Sequence, residues 1–429
     1  MESFTIQFKM LSKKTNVDGN VLYKARLVAQ GFNQQQGLDY TETFSPVVSF
    51  DSIRTILAIS AKKNFKLHHM DVSNAFLNGN LNENILMSQP EFFVEDENER
   101  KVCKLKKAIY GLKQSSKCWH DSFSKFLKSS GFKQCDSDSC IFIANSGNDI
   151  KCILALYVDD ILISCSSDSF LKKLRSKLMN EYKMKDLGEV KQFLGVNVEQ
   201  NENEIFIHQA NFVQGLLQKF QFENCKPTGT PVDISNKLKI STDDDKPFDI
   251  ELYQKAVGSL LYLSTKTRPD ISYAVNSVAK YCVKPNVNHW CAVKRIFRYL
   301  KGTINLGISY ERSKTKECLG FSDADWAGDN SDRKSTSGFC FSLNSGLISW
   351  RSSKQSCVAL STAEAELVAL SSAAQEAVWL RKMLIELNYA DDKPILIFED
   401  NQSTICLAKS NKSHSKSKHM EIKYNFVFC

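Results

Sequence analysis

Two apolar segments of strand length flank an acidic pair in the middle of the chain. In Ile153-Leu-Ala-Leu-Tyr-Val-Asp-Asp-Ile-Leu-Ile163, the carboxylates of Asp159 and Asp160 interrupt an otherwise apolar run. This pattern predicts a β-hairpin with the acidic pair in its turn. Because both faces of the flanking strands are apolar, we expect the hairpin to be buried. Adjacent carboxylates at the edge of a core repel each other unless a cation is present or one is neutral. A solvated acidic turn is the alternative, since Asp is common in turns.

A third carboxylate follows an earlier strand-like run. The segment from Leu67 predicts a strand that ends at Asp71, followed by a turn into Phe76. On one sheet with the hairpin, these carboxylates could hold two Mg²⁺ ions roughly 3.5–4 Å apart, the geometry for in-line attack of a hydroxyl on a phosphate. Mg²⁺ prefers oxygen ligands and shares its coordination shell with substrate phosphates, so a few carboxylates suffice.

The composition is that of a folded protein with several domains. The chain has 429 residues, of which 42% are hydrophobic, enough for about two to four domains, and this excludes a disordered or collagen-like chain. The net charge of +8 fits a polyanionic partner and equally an ordinary surface. The 14 cysteines show no C-x-x-C pair and no signal-peptide pattern precedes them, so we expect reduced thiols in an intracellular protein. No apolar run reaches the roughly 20 residues of a membrane span.

A second group of carboxylates lies near the end of the chain, where Asp323 and Asp400 each end a strand-like run. A long helix between them is predicted to begin at Ser361, because Ser361 and Glu364 have capping-box spacing. Helical geometry then places Glu366 on the small apolar face that packs on a sheet, and Glu364 well away from that face. Since a buried glutamate needs a partner, we predict a metal ion shared by Asp323, Glu366 and Asp400.

A predicted amphipathic helix at 289–301 carries a basic face. Lys294, Arg298 and Lys301 lie within about 60° of one another, opposite the apolar residues of the helix. An ordinary solvated surface is one interpretation, and a stripe that contacts nucleic-acid phosphates is the other.

Several motifs resemble those of copia-type retrotransposon reverse transcriptases. Tyr157-Val-Asp-Asp160 resembles the Y-x-D-D box, and Asp71 with Phe76 resembles the catalytic motif that precedes it. Residues 108–119 resemble the motif that contacts template and nucleotide. Further similar segments are 23–32, 44–48, 184–188 and 193–195.

The resemblance implies a role for each matching residue. Asp71 and Asp159 would hold both metal ions, and Asp160 would support them. The ring of Phe76 would exclude a ribose 2′-hydroxyl, although an ordinary core phenylalanine is the alternative. Gly111 would let the backbone approach the nascent base pair. The remaining nucleotide or template contacts fall on Lys24, Arg26, Lys113 and Gln114.

The C-terminal part of the sequence, residues 317–429, resembles the ribonuclease H fold, which has an Asp on the first strand, a Glu on the first helix and an Asp after the fourth strand. Segments 320–328, 333–338, 348–350 and 359–366 are similar to the copia-type version. The resemblance assigns the three roles to Asp323, Glu366 and Asp400, with Asp325 as the alternative to Asp323. The fourth carboxylate of the family falls on Glu421, where an Asp is usual.

The resemblance therefore implies an α/β (α+β) protein in three domains. These are right-hand polymerase fingers and palm in residues 1–225 (N-terminally truncated), a helical connection or thumb-like segment in 226–316, and a C-terminally truncated ribonuclease H-like fold with a mixed sheet in 317–429. It implies RNA-directed DNA synthesis from deoxynucleoside triphosphates on an RNA template and DNA primer, and cleavage of RNA–DNA hybrids. Each site would use two Mg²⁺ ions, with Mn²⁺ as a substitute. The alternative is a retrotransposon relic that binds nucleic acid without turnover. Cytoplasm, virus-like particle and nucleus all stay open as locations, and so does the oligomeric state.

Overall fold

The structure is a computed structural model, and it describes residues 7–17, 20–90, 93–94, 101–147, 149–233, 235, 238–312, 317–389, 393–409 and 426. Helices and strands are mixed along the chain. The helices are α1 (Phe50–Lys63), α2 (Ser115–Ser129), α3 (Asp168–Glu181), α4 (Ala210–Lys219), α5 (Ile250–Lys266), α6 (Ser272–Ala279), α7 (Val287–Gly302), α8 (Thr362–Glu386) and α9 (Gln402–Lys409). The strands are β1 (Phe8–Val17), β2 (Asn20–Ala29), β3 (Lys66–Val72), β4 (Leu86–Met87), β5 (Cys103–Lys104), β6 (Lys133–Gln134), β7 (Ile141–Ser146), β8 (Asp149–Tyr157), β9 (Asp160–Cys165), β10 (Met184–Glu189), β11 (Gln192–Phe193), β12 (Val196–Gln200), β13 (Glu204–His208), β14 (Gly307–Glu311), β15 (Cys318–Asp325), β16 (Thr336–Leu343), β17 (Gly346–Lys354) and β18 (Leu396–Phe398).

The chain divides into two compact units. The first unit comprises Met1–Ser49 and Lys66–Glu189, and the second comprises Phe50–Phe65 and Val190–Cys429. Helix α1 thus belongs to the second unit, where the buried guanidinium of Arg54 donates to the carbonyls of Ile348 (2.7 Å) and Thr265 (2.8 Å). The boundaries of the three domains expected from the sequence stay predictions, because the two compact units do not test them.

The first unit is built on a six-stranded sheet with the order β10-β3-β9-β8-β7-β6. Adjacent strands are antiparallel throughout. Apolar side chains of α2 and α3 share one core with the sheet, as Trp119, Leu174 and Leu154 illustrate. Strands β8 and β9 are buried along most of their length, which confirms the expected buried hairpin. Burial on both sheet faces explains why these strands are apolar at nearly every position.

The second unit contains two four-stranded sheets. One is antiparallel, with the order β11-β12-β13-β14. The other has the order β17-β16-β15-β18, in which β18 runs parallel to β15 and the remaining pairs are antiparallel. Because α8 connects β17 to β18, the chain can return to the sheet in the parallel sense. Ser361 caps α8 by accepting from the Glu364 backbone N–H at 3.2 Å, as expected from the sequence.

Helices α4 to α7 of the second unit share a separate core, with Tyr253, Leu260 and Phe297 among its fully buried residues. The predicted amphipathic helix is observed as α7, and Asn286 caps it by accepting from the His289 backbone N–H at 3.0 Å. These helices therefore have an apolar core of their own, separate from the sheets.

Candidate active sites

The first group of carboxylates forms at one end of the six-stranded sheet. Strands β3 and β9 pair in the register that places Asp71 opposite Asp160, and Tyr157 pairs with Asp160 across the hairpin. The carbonyl of Asp159 accepts from the backbone N–H of Val72 at 2.8 Å. The tight turn consists of Val158 and Asp159, whereas Asp160 is the first residue of β9. The expectation that both aspartates form the turn was therefore wrong by one residue, because strand pairing continues to Asp160.

The turn of the hairpin has a strained backbone. Val158 adopts a φ of 56°, a conformation that β-branched residues rarely adopt and that costs on the order of 1–3 kcal/mol. The buried indole of Trp119 donates to the Val158 carbonyl at 2.6 Å. The core thus holds the turn in this conformation and fixes the position of Asp159.

Charges around the turn act on Asp159 in both directions. Partial burial raises the pKa of Asp159, the neighbouring carboxylates of Asp160 and Asp71 raise it further, and the guanidinium of Arg26 lowers it. Asp160 has a partner that we did not expect, because the His69 Nε2 lies 2.9 Å from its Oδ1. The sequence did contain a signal for His69, since side chains two residues apart on a strand share a face and Asp71 follows at that spacing.

Phe76 lies on a short 3-10 helix, Ala75–Asn78, which follows the strand that carries Asp71. Its half-buried ring contacts the ring of Tyr110 edge to face, with the centroids 4.9 Å apart. Gly111 follows with a φ of 92°, and a Cβ on it would lie 2.0 Å from the Ala29 carbonyl oxygen. Packing against the end of β2 therefore already requires glycine at position 111.

The remaining residues expected to contact a nucleotide differ in how accessible they are. Arg26 is exposed on β2, with its guanidinium 5.4 Å from the Tyr110 ring centroid. The side chain of Lys24 lies outside the described residues. The ammonium of Lys113 donates to the Gln34 carbonyl at 3.1 Å.

Gln114 is buried, and its side-chain amide makes hydrogen bonds within the protein. The amide donates to the Asp39 carbonyl at 2.9 Å and accepts from the Gln34 side chain at 3.0 Å. The expected contact of Gln114 with a base pair stays a prediction. Its observed bonds connect the start of α2 to residues 34–39.

The second group of carboxylates comes together more tightly. Asp323 on β15, Glu366 on α8 and Asp400 after β18 each offer an oxygen, and these atoms lie within 4.8 Å of one another. In the described part of the chain, this is the one set of three potential ligands that meets that distance. The three sequence segments that we expected to meet therefore do so.

Glu366 is the buried member of this group. It is 7% exposed, and its Oε2 has no hydrogen-bond partner among the described residues. Burial raises the pKa of Glu366 to about 8, with further contributions from the carboxylates of Glu399, Asp323 and Asp400. A buried carboxyl oxygen without a partner is costly, and a set of oxygen donors around it fits a hard divalent cation such as Mg²⁺.

Glu399 is an acidic neighbour that sequence reasoning missed. After burial, it has the largest effect on the pKa of Glu366. Its own pKa is raised by burial and by the nearby carboxylates of Asp400 and Asp323. We had placed Glu399 within the strand before Asp400 and assigned it no role.

The structure distinguishes Asp323 from its alternative, Asp325. Asp325 is not part of the carboxylate set and instead interacts with the hydroxyl of Tyr273, whose pKa is raised by burial and by Asp325. A Cβ on Gly328 would lie 1.8 Å from the Asp325 Oδ2, so this carboxylate is closely packed against the turn that follows. Glu421 lies outside the described residues, and its role stays a prediction.

Comparison with known proteins identifies the family. The family described as "Reverse transcriptase (RNA-dependent DNA polymerase)" matches residues 5–234. The chain belongs to this reverse transcriptase family. Over 424 residues it is 39% identical to the retrovirus-related Pol polyprotein from transposon TNT 1-94 of Nicotiana tabacum. The aligned region covers 96% of this chain and 32% of that protein. It is 38% identical over 419 residues to the Pol polyprotein from transposon RE2 of Arabidopsis thaliana, covering 97% of this chain and 29% of that protein.

A shorter relative matches from end to end. The putative transposon Ty5-1 protein of Saccharomyces cerevisiae is 30% identical over 309 residues, which is 72% of this chain and 100% of that protein. The resemblance to copia-type Pol polyproteins is thus confirmed. The chain spans about a third or less of the length of the Nicotiana and Arabidopsis relatives.

The basic face of α7 is only partly available to a ligand. Lys294, Arg298 and Lys301 are all half-buried, and the Arg298 Nε donates to the Lys226 carbonyl at 2.8 Å. Lys294 and Arg298 line a cavity of about 640 Å³ within the second unit, together with Tyr273. Arg298 thus has a structural partner already, whereas no such bond accounts for Lys294 and Lys301 among the described contacts.

Two further expectations concern the chain as a whole. None of the cysteines in the part of the chain that the structure describes forms a disulfide, and the redox state of the thiols stays a prediction. Among the same residues, no helix combines the length and the apolar character that a membrane crossing requires.

Proposed function

We propose that this chain is an RNA-directed DNA polymerase that extends a DNA primer by two-metal phosphoryl transfer. The observation that carries the proposal is the register of β3 with β9, which sets Asp71 beside Asp160 at the strained turn of Asp159. This arrangement lies inside the region that matches the reverse transcriptase family. In the proposed architecture, the first unit supplies the fingers and the palm.

The residues around the turn have distinct tasks in this mechanism. Divalent ions held by Asp71 and Asp159 would activate the primer 3′-hydroxyl and neutralise charge on the leaving pyrophosphate. His69 holds the Asp160 carboxylate in place through its 2.9 Å contact. Arg26, exposed and close enough to lower the pKa of Asp159, is positioned to meet the triphosphate of an incoming nucleotide. Phe76 excludes the ribose 2′-hydroxyl.

We further propose that the second carboxylate group cleaves the RNA strand of an RNA–DNA hybrid. Three features support a ribonuclease H-like fold: the strand order β17-β16-β15-β18, the parallel pairing of β15 with β18, and the helix that connects β17 to β18. The acidic residues lie on the first strand, on this helix and after the last strand, as in that family. Asp323, Glu366 and Asp400 would hold the ions, and Lys294 and Lys301 would contact hybrid phosphates.

A relic that binds nucleic acid without turnover is the second candidate. Primer extension on a homopolymer RNA template with Mg²⁺ separates the two. We expect Asp159→Asn to reduce extension by about 10³-fold or more, because removing a ligand from a two-metal site costs several kcal/mol of transition-state stabilisation. Asp149→Asn is the matched control, since Asp149 is an exposed carboxylate at the far end of the same hairpin. Absence of extension by the wild-type chain, with template binding retained, would favour the relic.

Cleavage of a labelled RNA–DNA hybrid tests the second site independently. We expect Asp400→Asn to abolish single-turnover cleavage and Glu364→Gln to leave it unchanged, because Glu364 only caps the helix. Equal cleavage by the wild-type chain and by Asp400→Asn would remove the second group of carboxylates from any nuclease role.

A further inference from the structure

Phe32 exposes most of its ring beside the segment that we expect to contact the nucleotide. The side chain is 77% exposed, on the 3-10 turn Gly31–Asn33 that follows β2. A single exposed apolar side chain is ordinary on a protein surface. The significance of this ring therefore depends on how the protein supports it and on what lies next to it.

The backbone before Phe32 is packed against residues 110–111. The backbone N–H of Ala29 donates to the Tyr110 carbonyl at 2.7 Å. A Cβ on Gly31 would lie 2.0 Å from the Gly111 carbonyl oxygen, so the two backbones touch and glycine is required at position 31. Gly31 is buried by this contact, whereas Gly111 is exposed. The turn thus begins at a fixed point beside Gly111, and Phe32 is the next residue.

The backbone after Phe32 is fixed as well. The side chain of Gln34 is buried, and its oxygen accepts from the Lys113 backbone N–H at 2.7 Å. Its amide group donates to the side chain of Gln114 at 3.0 Å. Leaving these buried groups without partners would be costly, so the bonds hold this side of the turn. The exposed ring of Phe32 is therefore carried by a turn that is supported at both ends.

The order of the contacts assigns Phe32 to the template side of the proposed nucleotide site. The ring of Phe76 contacts the ring of Tyr110, and Gly111, the next residue, touches the turn that carries Phe32. A base pair has one sugar at each end. If Phe76 meets the sugar of the incoming nucleotide, the surface that leads away from it along Tyr110 and Gly111 faces the template strand.

We propose that the ring of Phe32 stacks on an unpaired base of the template strand, ahead of the nascent base pair. The inference rests on the proposed polymerase function and adds a template contact to it. An aromatic ring beside a cation suits single-stranded nucleic acid, because every base has a face that can stack and every nucleotide carries a phosphate. Lys113 provides the cation, since it is exposed and its ammonium donates to the carbonyl of Gln34 at 3.1 Å, two residues after Phe32.

The test is equilibrium binding of the complete chain to a labelled primer–template with a single-stranded template overhang, without nucleotides. In a second series of templates, an abasic residue replaces each of the first three unpaired bases in turn. We expect Phe32→Ala to weaken binding of the intact overhang by about tenfold. We expect the abasic residue to weaken wild-type binding to a similar extent at one position and to have no further effect on Phe32→Ala.

Matched variants separate stacking from other effects. Phe93→Ala is the control and should bind like wild type, because Phe93 is 72% exposed in the same unit and lies on a different loop. Phe32→Trp keeps an aromatic face and should bind like wild type, whereas Phe32→Leu keeps only an apolar side chain and should bind like Phe32→Ala. If Phe32→Leu binds like wild type, the ring does not act by stacking and the inference is wrong.

Two further results would overturn the inference in distinguishable ways. If the wild-type chain extends primers and Phe32→Ala matches it in affinity and in sensitivity to the abasic residue, the polymerase function stands and Phe32 has no template role. If the wild-type chain neither extends primers nor binds an overhang more tightly than a blunt duplex, the proposed polymerase function is itself wrong, and the role of Phe32 is wrong with it.

Discussion

Replacing Glu366 by Gln should stabilise the metal-free protein at alkaline pH and leave it unchanged at acidic pH. Glu366 is buried, and the charged groups with the largest effect on its pKa are all carboxylates. Its ionised form is therefore disfavoured in the folded state without a cation. Glutamine has nearly the same shape and carries no charge, so the substitution removes the repulsion and preserves the packing.

The sign and size of the effect follow from the pKa. Burial and the neighbouring carboxylates raise the pKa of Glu366 to about 8 from an ordinary value of 4.5. Because the folded state holds this proton more tightly, the associated stability is present below about pH 4.5 and is lost as the pH rises toward 8. Each pH unit between the two pKa values corresponds to about 1.4 kcal/mol, so the full difference is roughly 5 kcal/mol. Solvent reaches the exposed Asp323 and Asp400, and we therefore expect about 2 kcal/mol to be measurable.

Urea unfolding in EDTA at pH 5 and pH 8 measures this difference. Four of the five tryptophans lie in the second unit, so their fluorescence follows the part of the chain that contains Glu366. We expect wild type and Glu366→Gln to unfold alike at pH 5, and the variant to be more stable at pH 8. Addition of Mg²⁺ should restore the stability of the wild-type protein and should have no such effect on the variant. A difference that is the same at both pH values would refute the reasoning, and Glu364→Gln serves as the control.

Three other substitutions test separate parts of the structure. Phe76→Ala should raise the ratio of ribonucleotide to deoxynucleotide incorporation efficiency by about tenfold or more, and an unchanged ratio in steady-state extension would remove Phe76 as the steric gate. Replacing Lys294 and Lys301 together by Ala should lower the slope of log K against log salt for hybrid binding by up to about 2, and an identical slope would assign both to ordinary surface. Arg54→Met leaves buried carbonyls without donors and should destabilise the second unit by about 3 kcal/mol in urea, so a loss below about 1 kcal/mol would contradict this role.

Local pattern predicted the elements that carry the carboxylates, because each has a strong periodic signal. The buried hairpin, the cap of α8 at Ser361 and the amphipathic α7 could all be identified from residue spacing. Helix α1 shows the limit of this approach. The sequence of α1 does not indicate that Arg54 bonds to Ile348, which is nearly three hundred residues away. This contact places α1 in the second unit.

The sites were less predictable than the elements, because several of their contacts join residues that no local pattern connects. The sequence pattern places Glu399 within the last strand-like run, whereas β18 ends at Phe398 and Glu399 lies outside it. The amide partners of Gln114 are Gln34 and Asp39, which are distant in sequence, and no local pattern predicts these bonds.

The two groups of carboxylates differ in which protein groups offset their negative charge when no cation is bound. At the Asp159 turn, His69 contacts Asp160 and Arg26 offsets part of the charge around Asp159, and the core holds the strained turn through Trp119. At the second group, the dominant charges around Glu366 are other carboxylates. The turn can therefore keep its geometry through protein contacts, whereas the second group depends on protonation or on a cation to relieve repulsion. We therefore expect metal binding to change the conformation of the second unit more than that of the first, because the carboxylates of the second group repel one another when no cation is bound.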